Sequence, residues 1–288
     1  MYHTNCIICH SNQLIELPEY KKACLVKCNN CNFVFAKKKP LVEDLIKHYF
    51  NYPRYTDISF ITKKRYDALL DSFEKYRKTN NIIDLGCSNG LFLQCAKERG
   101  WNVYGTEFAE ECIEYCMRKG ITVFKSDQLP TELFNIKFDI VTSFEVIEHI
   151  NNPNEEMELV TSLLRSGGIF YFTTPNFNSI SRFILKEKWN IIEYPEHLSY
   201  YTSKTIHSLM KKHCLIKQYI TTTGISLSRF NESIGKKEEN RTITINTDET
   251  LRIKLENNGF LFQLKRIANF SLNLFKIGDA MKGLYLKP

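Results

Sequence analysis

Residues 82–90 constrain the fold of this chain more than any other segment. An apolar run stops at Asp84, and the chain then turns on Gly86 and Gly90. A helical pattern follows over residues 91–98. A strand, a tight loop and a helix N-terminus in this order form the arrangement in which backbone N–H groups face a ligand. We expect both glycines to leave no side chain between the loop and that ligand. The loop alone is a weak signal, because an isolated glycine pair also fits a turn that binds nothing.

Further apolar runs continue the pattern toward the C-terminus. Helical stretches separate these runs, which lie at 101–105, 121–124, 138–141 and 168–175. We expect the last run to begin after a turn at Gly167 and Gly168. Strands that alternate with helices predict an α/β fold with a parallel sheet covered on both faces. Glu107 follows the second strand, seventeen positions after Gly90. That is near the spacing of a carboxylate that binds ribose hydroxyls.

These residues together resemble the class I S-adenosylmethionine-dependent methyltransferases. The resemblance rests on the loop at 84–90, on Glu107 and Asp127, and on segments 138–149 and 163–168. It implies a Rossmann-like, seven-stranded α/β sheet and S-adenosylmethionine as the cofactor. The family often has a third glycine in the loop where this chain has a small serine. A dinucleotide-binding version of the fold is the rival interpretation, but it calls for G-x-G-x-x-G, and the glycines here are four positions apart.

The resemblance also implies how the cofactor is held. In the family, the glycine loop holds the methionine part, the acid after strand two takes the ribose, and the acid after strand three lies by the adenine. The predicted cofactor-binding residues are Asp84, Gly86, Cys87, Gly90, Glu107, Asp127 and Phe144.

The N-terminus carries a second motif, built from two cysteine pairs. Cys6 and Cys9 form one C-x-x-C pair, and Cys28 and Cys31 form another after eighteen residues. This is the spacing of a four-thiolate zinc ribbon. We predict a structural Zn²⁺, because about forty residues build too small a core without metal and four thiolates leave no open position for catalysis. Cys24 is interpreted as a packing residue. The alternative is a set of buried cysteines without metal.

The predicted organisation has three parts: a zinc ribbon at 1–40, a helical connector or lid at 41–79, and the methyltransferase domain at 80–288. Within that domain we expect a helical cap over the substrate side at about 221–278 and a last, antiparallel strand beside the fifth. The tyrosine-rich loop at 49–55 is either a lid over the cofactor, as the family implies, or an anchor that docks the connector helices on the sheet.

Composition agrees with a cytoplasmic enzyme. The chain has 288 residues, of which 43% are hydrophobic and 25% are charged, with a formal net charge of +7. Its apolar runs fall short of the ~18 residues of a membrane span, and the N-terminus does not resemble a signal peptide. We therefore expect reduced cysteines and no membrane span. The positive charge permits an anionic substrate without requiring one.

The catalytic prediction centres on Glu148 and His149. The sulfonium already activates the methyl group, so the protein mainly aligns donor and acceptor. A hydroxyl acceptor must also lose a proton, which calls for a base. Imidazole has a pKa near neutrality, so we predict His149 as the base, with Glu148 or His197 assisting. The alternative is that Glu148 and His149 only brace the loop.

Subfamily resemblances bear on the acceptor. The cysteine pairs, tyrosine-rich loop and Glu148-His149 resemble nucleotide-sugar C-methyltransferases, although the long C-terminal extension of those enzymes is not found here. Glu145, Glu148 and His149 resemble the divalent-metal site of ubiquinone-pathway O-methyltransferases, which would need a further ligand such as His197. Segments 138–176, 194–202 and 278–281 look most like ribbon-bearing methyltransferases among bacterial surface-polysaccharide enzymes.

We therefore predict methyl transfer to a hydroxyl of a sugar or nucleotide-linked sugar. Two alternatives stay open at this point: an RNA methyltransferase and a non-catalytic partner subunit. Against RNA, the basic residues form no long stripe with interleaved aromatics. The oligomeric state is left open.

Overall fold

The computed structural model describes residues 1–41, 58–225 and 259–288. Tertiary contacts divide the chain into two compact units. The first, here called the ribbon unit, comprises Met1–Lys39, Thr174–Ile206 and Ile220–Lys282. The second, the sheet unit, comprises Pro40–Thr173, His207–Tyr219 and Gly283–Pro288. Residues 42–57 of the predicted connector, which include the tyrosine-rich loop at 49–55, lie outside the described residues, as do residues 226–258 of the predicted helical cap.

The described strands and helices follow the predicted alternation. The strands are β1 (Leu14–Glu16), β2 (Leu25–Cys28), β3 (Val34–Ala36), β4 (Asn81–Leu85), β5 (Asn102–Glu107), β6 (Thr122–Lys125), β7 (Phe138–Phe144), β8 (Leu164–Pro175), β9 (Ser199–Tyr200), β10 (Ile216–Thr223) and β11 (Ala280–Leu286). The helices are α1 (Phe60–Phe73), α2 (Leu91–Glu98), α3 (Glu110–Arg118), α4 (Pro153–Leu163), α5 (Ile180–Leu185), α6 (Ser203–Lys212) and α7 (Gly259–Phe275).

Seven strands of the described residues form one sheet in the order β10-β11-β8-β7-β4-β5-β6. The pairs β4–β5, β4–β7, β5–β6 and β7–β8 are parallel. Gly167 near the start of β8 donates its N–H to Lys287, and Lys287 donates to Gly168, at the far end of β11. The last strand therefore runs antiparallel beside β8, and the predicted α/β sheet is confirmed.

The entry into β8 differs from the prediction. Phe138 pairs with Leu164 and Ile140 pairs with Ile169, so β8 begins before the two glycines and carries extra residues between these pairs. A Cβ on Gly168 would lie 2.9 Å from the Phe138 carbonyl oxygen. The expected turn at Gly167 and Gly168 is thus a bulge inside the strand, where glycine allows the two backbones to approach.

The core of the sheet unit explains why these apolar runs become strands. Ile82, Ile140 and Ile169 lie on neighbouring strands and are fully buried in one cluster. Leu70 and Phe73 of α1 belong to the same cluster. Apolar residues on parallel strands, covered by a helix, remove their surface from water on that face of the sheet.

The ribbon unit has its own four-stranded sheet, in the order β1-β2-β3-β9. Val34 of β3 pairs antiparallel with Tyr200 of β9, far along the chain. Trp189 and Leu198 pack with residues of the N-terminal segment in one buried cluster. The ribbon sheet therefore includes a strand from outside the predicted limits 1–40. Among the described residues, no helix is both long and apolar enough to cross a membrane.

Candidate cofactor and catalytic site

The loop after β4 is tied to the neighbouring strand β5. Gly86 and Cys87 donate their N–H groups to the Thr106 carbonyl oxygen, at 3.0 and 2.9 Å. The Thr106 hydroxyl also lies 3.2 Å from the Gly86 nitrogen and accepts from it. The loop passes through positive φ at Gly86 (74°), Ser88 (48°) and Gly90 (65°). Glycine reaches this region without strain, so the turn favours the two glycines.

The two glycines are also required by protein packing, which was not predicted. A Cβ on Gly86 would lie 2.6 Å from the Val146 side chain. A Cβ on Gly90 would lie 2.8 Å from the Cys116 sulfur and 2.9 Å from Ile121. The atoms nearest to the missing side chains therefore belong to the protein itself, and the expected ligand-facing role of these two positions stays a prediction.

Cys87 is buried in the core of the sheet unit. Its sulfur occupies the space that a side chain on Gly105 would need, since a Cβ there would lie 2.6 Å away. Its contact with the cofactor stays a prediction, and the structure gives the thiol a packing role.

Glu107 ends β5 with a carboxylate held by three backbone donors. One oxygen accepts from Ser88 N–H at 2.8 Å. The other accepts from Phe108 and Ala109 N–H, at 2.7 and 2.9 Å. A carboxylate offers about four acceptor positions. It can therefore keep these three bonds, which fix its orientation beside the loop, and still accept from a hydroxyl.

Asp84 is a second carboxyl at the same edge, with a different environment. It is 3% exposed, and one oxygen accepts from the Thr142 hydroxyl at 2.7 Å. Burial, with a smaller contribution from the Glu107 charge, raises the pKa of Asp84 to about 7 against the lowering effect of the Thr142 hydrogen bond. A cationic ligand nearby would favour its ionised form.

Phe144 ends β7 inside an aromatic group. Its ring lies 4.9 Å from Phe92, 5.8 Å from Tyr66 and 5.7 Å from Tyr171, centroid to centroid. Burial raises the pKa of both tyrosines, so their hydroxyls stay protonated at neutral pH. The sequence-based prediction did not place Tyr66 and Phe92 in this group, although the helical spacing of aromatics in α1 was a usable signal. Thr106 and Thr142 were missed because strand register is needed to place them opposite the loop.

Asp127 follows β6 in an exposed turn. The N–H of the preceding residue, Ser126, donates to the Glu107 carbonyl oxygen at 3.0 Å. Asp127 therefore lies at the same end of the sheet as Glu107, one strand farther toward the edge.

The segment after β7 carries the predicted catalytic pair. Glu145 has a φ of 53°, and its N–H donates to the Thr173 carbonyl oxygen at 3.0 Å. A 3₁₀ turn, Ile147–His149, follows; in it Glu148 is 2% exposed and His149 is half-buried. Val146, just before this turn, packs over Gly86. The predicted base therefore lies three residues from a side chain that touches the loop after β4.

His197 belongs to the ribbon unit. It is buried, with its Nδ1 2.7 Å from the Ile191 carbonyl oxygen. A carbonyl oxygen only accepts, so Nδ1 carries the proton and the lone pair of the neutral ring is on Nε2.

The four cysteines of the N-terminal motif converge. Their sulfur atoms all lie within 4.8 Å of one another. The closest pairs are Cys6 with Cys31 at 3.6 Å and Cys9 with Cys28 at 3.5 Å. Zn–S bonds of about 2.3 Å in a tetrahedron place sulfurs about 3.8 Å apart. The hydrogen bond from Cys31 lowers the pKa of Cys6 to about 5. Spacing and chemistry of this donor set fit Zn²⁺.

Comparisons with known proteins agree with the fold. The methyltransferase domain family matches residues 58–213. Among curated proteins, the chain is similar to a ubiquinone biosynthesis O-methyltransferase of Bordetella avium, with 29% identity over 105 residues that cover 34% of this chain and 43% of the relative. The match thus spans less than half the length of that relative.

Solved structures give the same result at lower identity. This chain is similar to a SAM-dependent methyltransferase from Archaeoglobus fulgidus, with a TM-score of 0.51 at 20% identity. The match covers 86% of this chain and 100% of the solved one. A geranyl diphosphate C-methyltransferase from Streptomyces coelicolor has a TM-score of 0.54 at 12% identity and covers 79% of each chain. At these identities the likeness concerns the fold alone.

Proposed function

Because this chain belongs to the methyltransferase domain family, we propose that it is an S-adenosylmethionine-dependent enzyme that methylates a hydroxyl of a sugar or nucleotide-linked sugar in surface-polysaccharide biosynthesis. The observation that carries this proposal is the position of the Glu148-His149 segment, whose neighbour Val146 packs on the cofactor loop. A base there suits an acceptor that must lose a proton. The choice of a sugar as the acceptor rests on the sequence resemblance alone.

A phenolic hydroxyl is the second candidate acceptor. It is favoured by the curated relative, which is named for O-methylation in ubiquinone biosynthesis. Both candidates are small molecules with an ionisable hydroxyl, and both use the same base. They differ in shape and polarity, so one acceptor assay separates them.

The cofactor supplies an electrophilic methyl group when bound. In our proposal, the loop at 84–90 holds its methionine part, Glu107 binds the ribose hydroxyls and Asp127 lies by the adenine. The three N–H groups that orient the Glu107 carboxylate support the ribose role. Asp84 lies buried at the same edge of the sheet with a pKa raised to about 7, and the positive charge of the cofactor would favour its ionised form.

His149 is the proposed base, with Glu148 orienting it or acting in its place. His197 is a further proposed base, and the lone pair on its Nε2 fits that role. We also propose that Cys6, Cys9, Cys28 and Cys31 hold a structural Zn²⁺, and that the protein works in the cytoplasm.

The proposal is tested with His149→Ala, using labelled cofactor and two acceptor pools, nucleotide sugars and catechols. We expect label in the nucleotide sugars, a fall in kcat of about 10²–10⁴ for the variant, and an almost unchanged cofactor Kd by calorimetry. His213→Ala in the same unit is the matched control. If His149→Ala turns over at the wild-type rate, His149 is not the base. If label enters only the catechols, the acceptor is not a sugar.

A further inference from the structure

Helix α7 turns its polar side toward the protein. Asn269 accepts from Gly224 N–H at 2.8 Å, and Asn273 accepts from Thr222 N–H at 3.0 Å. Lys276, just after the helix, donates to the Ile220 carbonyl oxygen at 2.8 Å. Leu272, on the same side, is 8% exposed. Residues 269, 272, 273 and 276 share one helix face, so this face is the one that packs on the end of β10.

The opposite side of α7 is apolar and faces solvent. Its large apolar side chains are between 47% and 69% exposed and comprise Leu264, Ile267, Phe270, Leu274 and Phe275. A helix on the surface of a globular protein normally buries its apolar stripe and exposes its polar side. Here the orientation is reversed, which marks this side of α7 as an interaction surface.

Helix α5 adds to this surface. Ile180 at its start donates its N–H to the carbonyl oxygen of Ile277, two residues beyond the end of α7. One turn farther, Phe183 and Ile184 are 52% and 63% exposed. We call the exposed apolar side chains of α5 and α7 together the apolar patch.

Charge identifies the partner. Within the described stretches 180–188 and 259–278, the exposed charged residues are Lys186, Lys188 and Arg266, together with one acid, Glu187. Residues 259–278 contain no Asp or Glu. A second copy of the chain would bring like charges together, whereas anionic lipid headgroups would pair with them.

We propose that the apolar patch docks this protein on an anionic lipid bilayer, with α7 lying in the plane of the interface. Aromatic and aliphatic side chains on one side of a helix, with nearby cations, are typical of helices that lie on a membrane without crossing it. This inference goes beyond the proposed reaction and does not depend on the acceptor.

The test is co-sedimentation of the full chain with phosphatidylcholine vesicles that contain or lack phosphatidylglycerol. We expect binding to the anionic vesicles that weakens with salt. Phe270→Ser and Arg266→Glu should each weaken binding roughly tenfold. Phe60→Ser and Arg118→Glu are matched controls, because both side chains are exposed and neither belongs to the apolar patch, so neither substitution should change binding.

Four results would overturn the proposal. The first is absence of binding at low salt, and the second is equal binding by Phe270→Ser. The third is a concentration-dependent dimer that Phe270→Ser dissociates, which would assign the patch to a second copy. The fourth is a melting temperature lowered by Phe270→Ser but not by Phe60→Ser, which would show that the chain itself covers the patch. Cofactor binding by calorimetry verifies that each variant is folded.

Discussion

At the scale of single residues, two carboxyls of the site have opposite environments. Asp84 is buried with one hydroxyl partner, and its pKa is raised. Glu107 is oriented by three backbone N–H groups beside the loop. Charge-assisted hydrogen bonds stabilise a carboxylate, whereas burial destabilises it. Two acids one strand apart therefore suit different tasks, one responding to a nearby positive charge and the other holding hydroxyls.

Asp84 should make the apoprotein less stable as pH rises from about 4 to 7. Burial raises the pKa of Asp84 in the folded state from 3.8 to about 7, so the folded state binds the proton more tightly than the unfolded chain does. Its contribution to stability is complete below the unfolded pKa and is lost as pH passes the folded pKa, by about 4 kcal/mol. Urea unfolding across this range should show a fall for wild type that Asp84→Asn lacks. Parallel profiles would contradict the burial effect.

Glu107→Ala should weaken cofactor binding. The change removes the acceptor of three N–H groups and the proposed partner of the ribose, and hydrogen bonds to charged groups contribute about 1.5–3 kcal/mol each. We expect the Kd for S-adenosylmethionine to rise by at least about tenfold in calorimetry. Glu110→Ala is the control, because Glu110 is an exposed acid whose carboxylate lies 3.5 Å from Lys125. Equal affinities of the two variants would remove Glu107 from the cofactor site.

At the scale of elements, the two cysteine pairs form the same local structure twice. The Cys6 carbonyl oxygen accepts from His10 N–H, and the Cys28 carbonyl oxygen accepts from Asn32 N–H, both at 2.9 Å. His10 and Asn32 both have a φ of 61°. Each C-x-x-C pair thus closes a tight turn with a left-handed residue, and these turns bring the four sulfurs together.

Removing one of these sulfurs should remove the metal. We expect about one Zn²⁺ per chain in wild type and almost none in Cys28→Ser, measured by elemental mass spectrometry. Cys24→Ser is the matched control and should keep the metal. A chelator should lower the melting temperature of wild type and of Cys24→Ser but not of Cys28→Ser. If wild-type protein purified under reducing conditions contains no Zn²⁺, the proposed metal site is wrong.

At the scale of the whole molecule, the N-terminal residues are part of a larger unit. Val34 pairs with Tyr200, and Tyr20, Leu25 and Trp189 share one buried cluster. The first 39 residues therefore cover apolar side chains that come much later in the chain. The apolar side chains of these two parts of the ribbon unit are therefore buried together.

Deletion of residues 1–39 should destabilise what remains of the ribbon unit. It uncovers Trp189, which is 1% exposed in the full chain, and removes the strand that pairs with β9. In a Trp101→Phe background, Trp189 is the remaining tryptophan. We expect its fluorescence to shift to the red and the melting temperature to fall by at least about 10 °C. Unchanged emission and melting would mean that the rest of the ribbon unit keeps its structure without residues 1–39.

Local patterns were sufficient for several features. Periodicity and turn residues predicted strands β4 to β8, helix α2 and the last strand, because each depends on neighbours in sequence. The spacing of the cysteines likewise predicted a convergent cluster, since a tight turn closes each pair. The spacing from the glycine loop predicted an acid after the second strand of the sheet, and Glu107 ends β5, whereas its role toward ribose stays a proposal.

By itself, the sequence determined the alternation of strands and helices in the sheet unit, the glycine loop after β4 and the two cysteine pairs. Only the tertiary structure decided that Thr142 bonds Asp84, that Val146 packs over Gly86, and that β9 extends the ribbon sheet. These contacts join segments that are distant in the chain and depend on strand register and packing. The burial that raises the pKa of Asp84 and the outward turn of the apolar side of α7 arise in the same way, because both depend on what surrounds a residue in space.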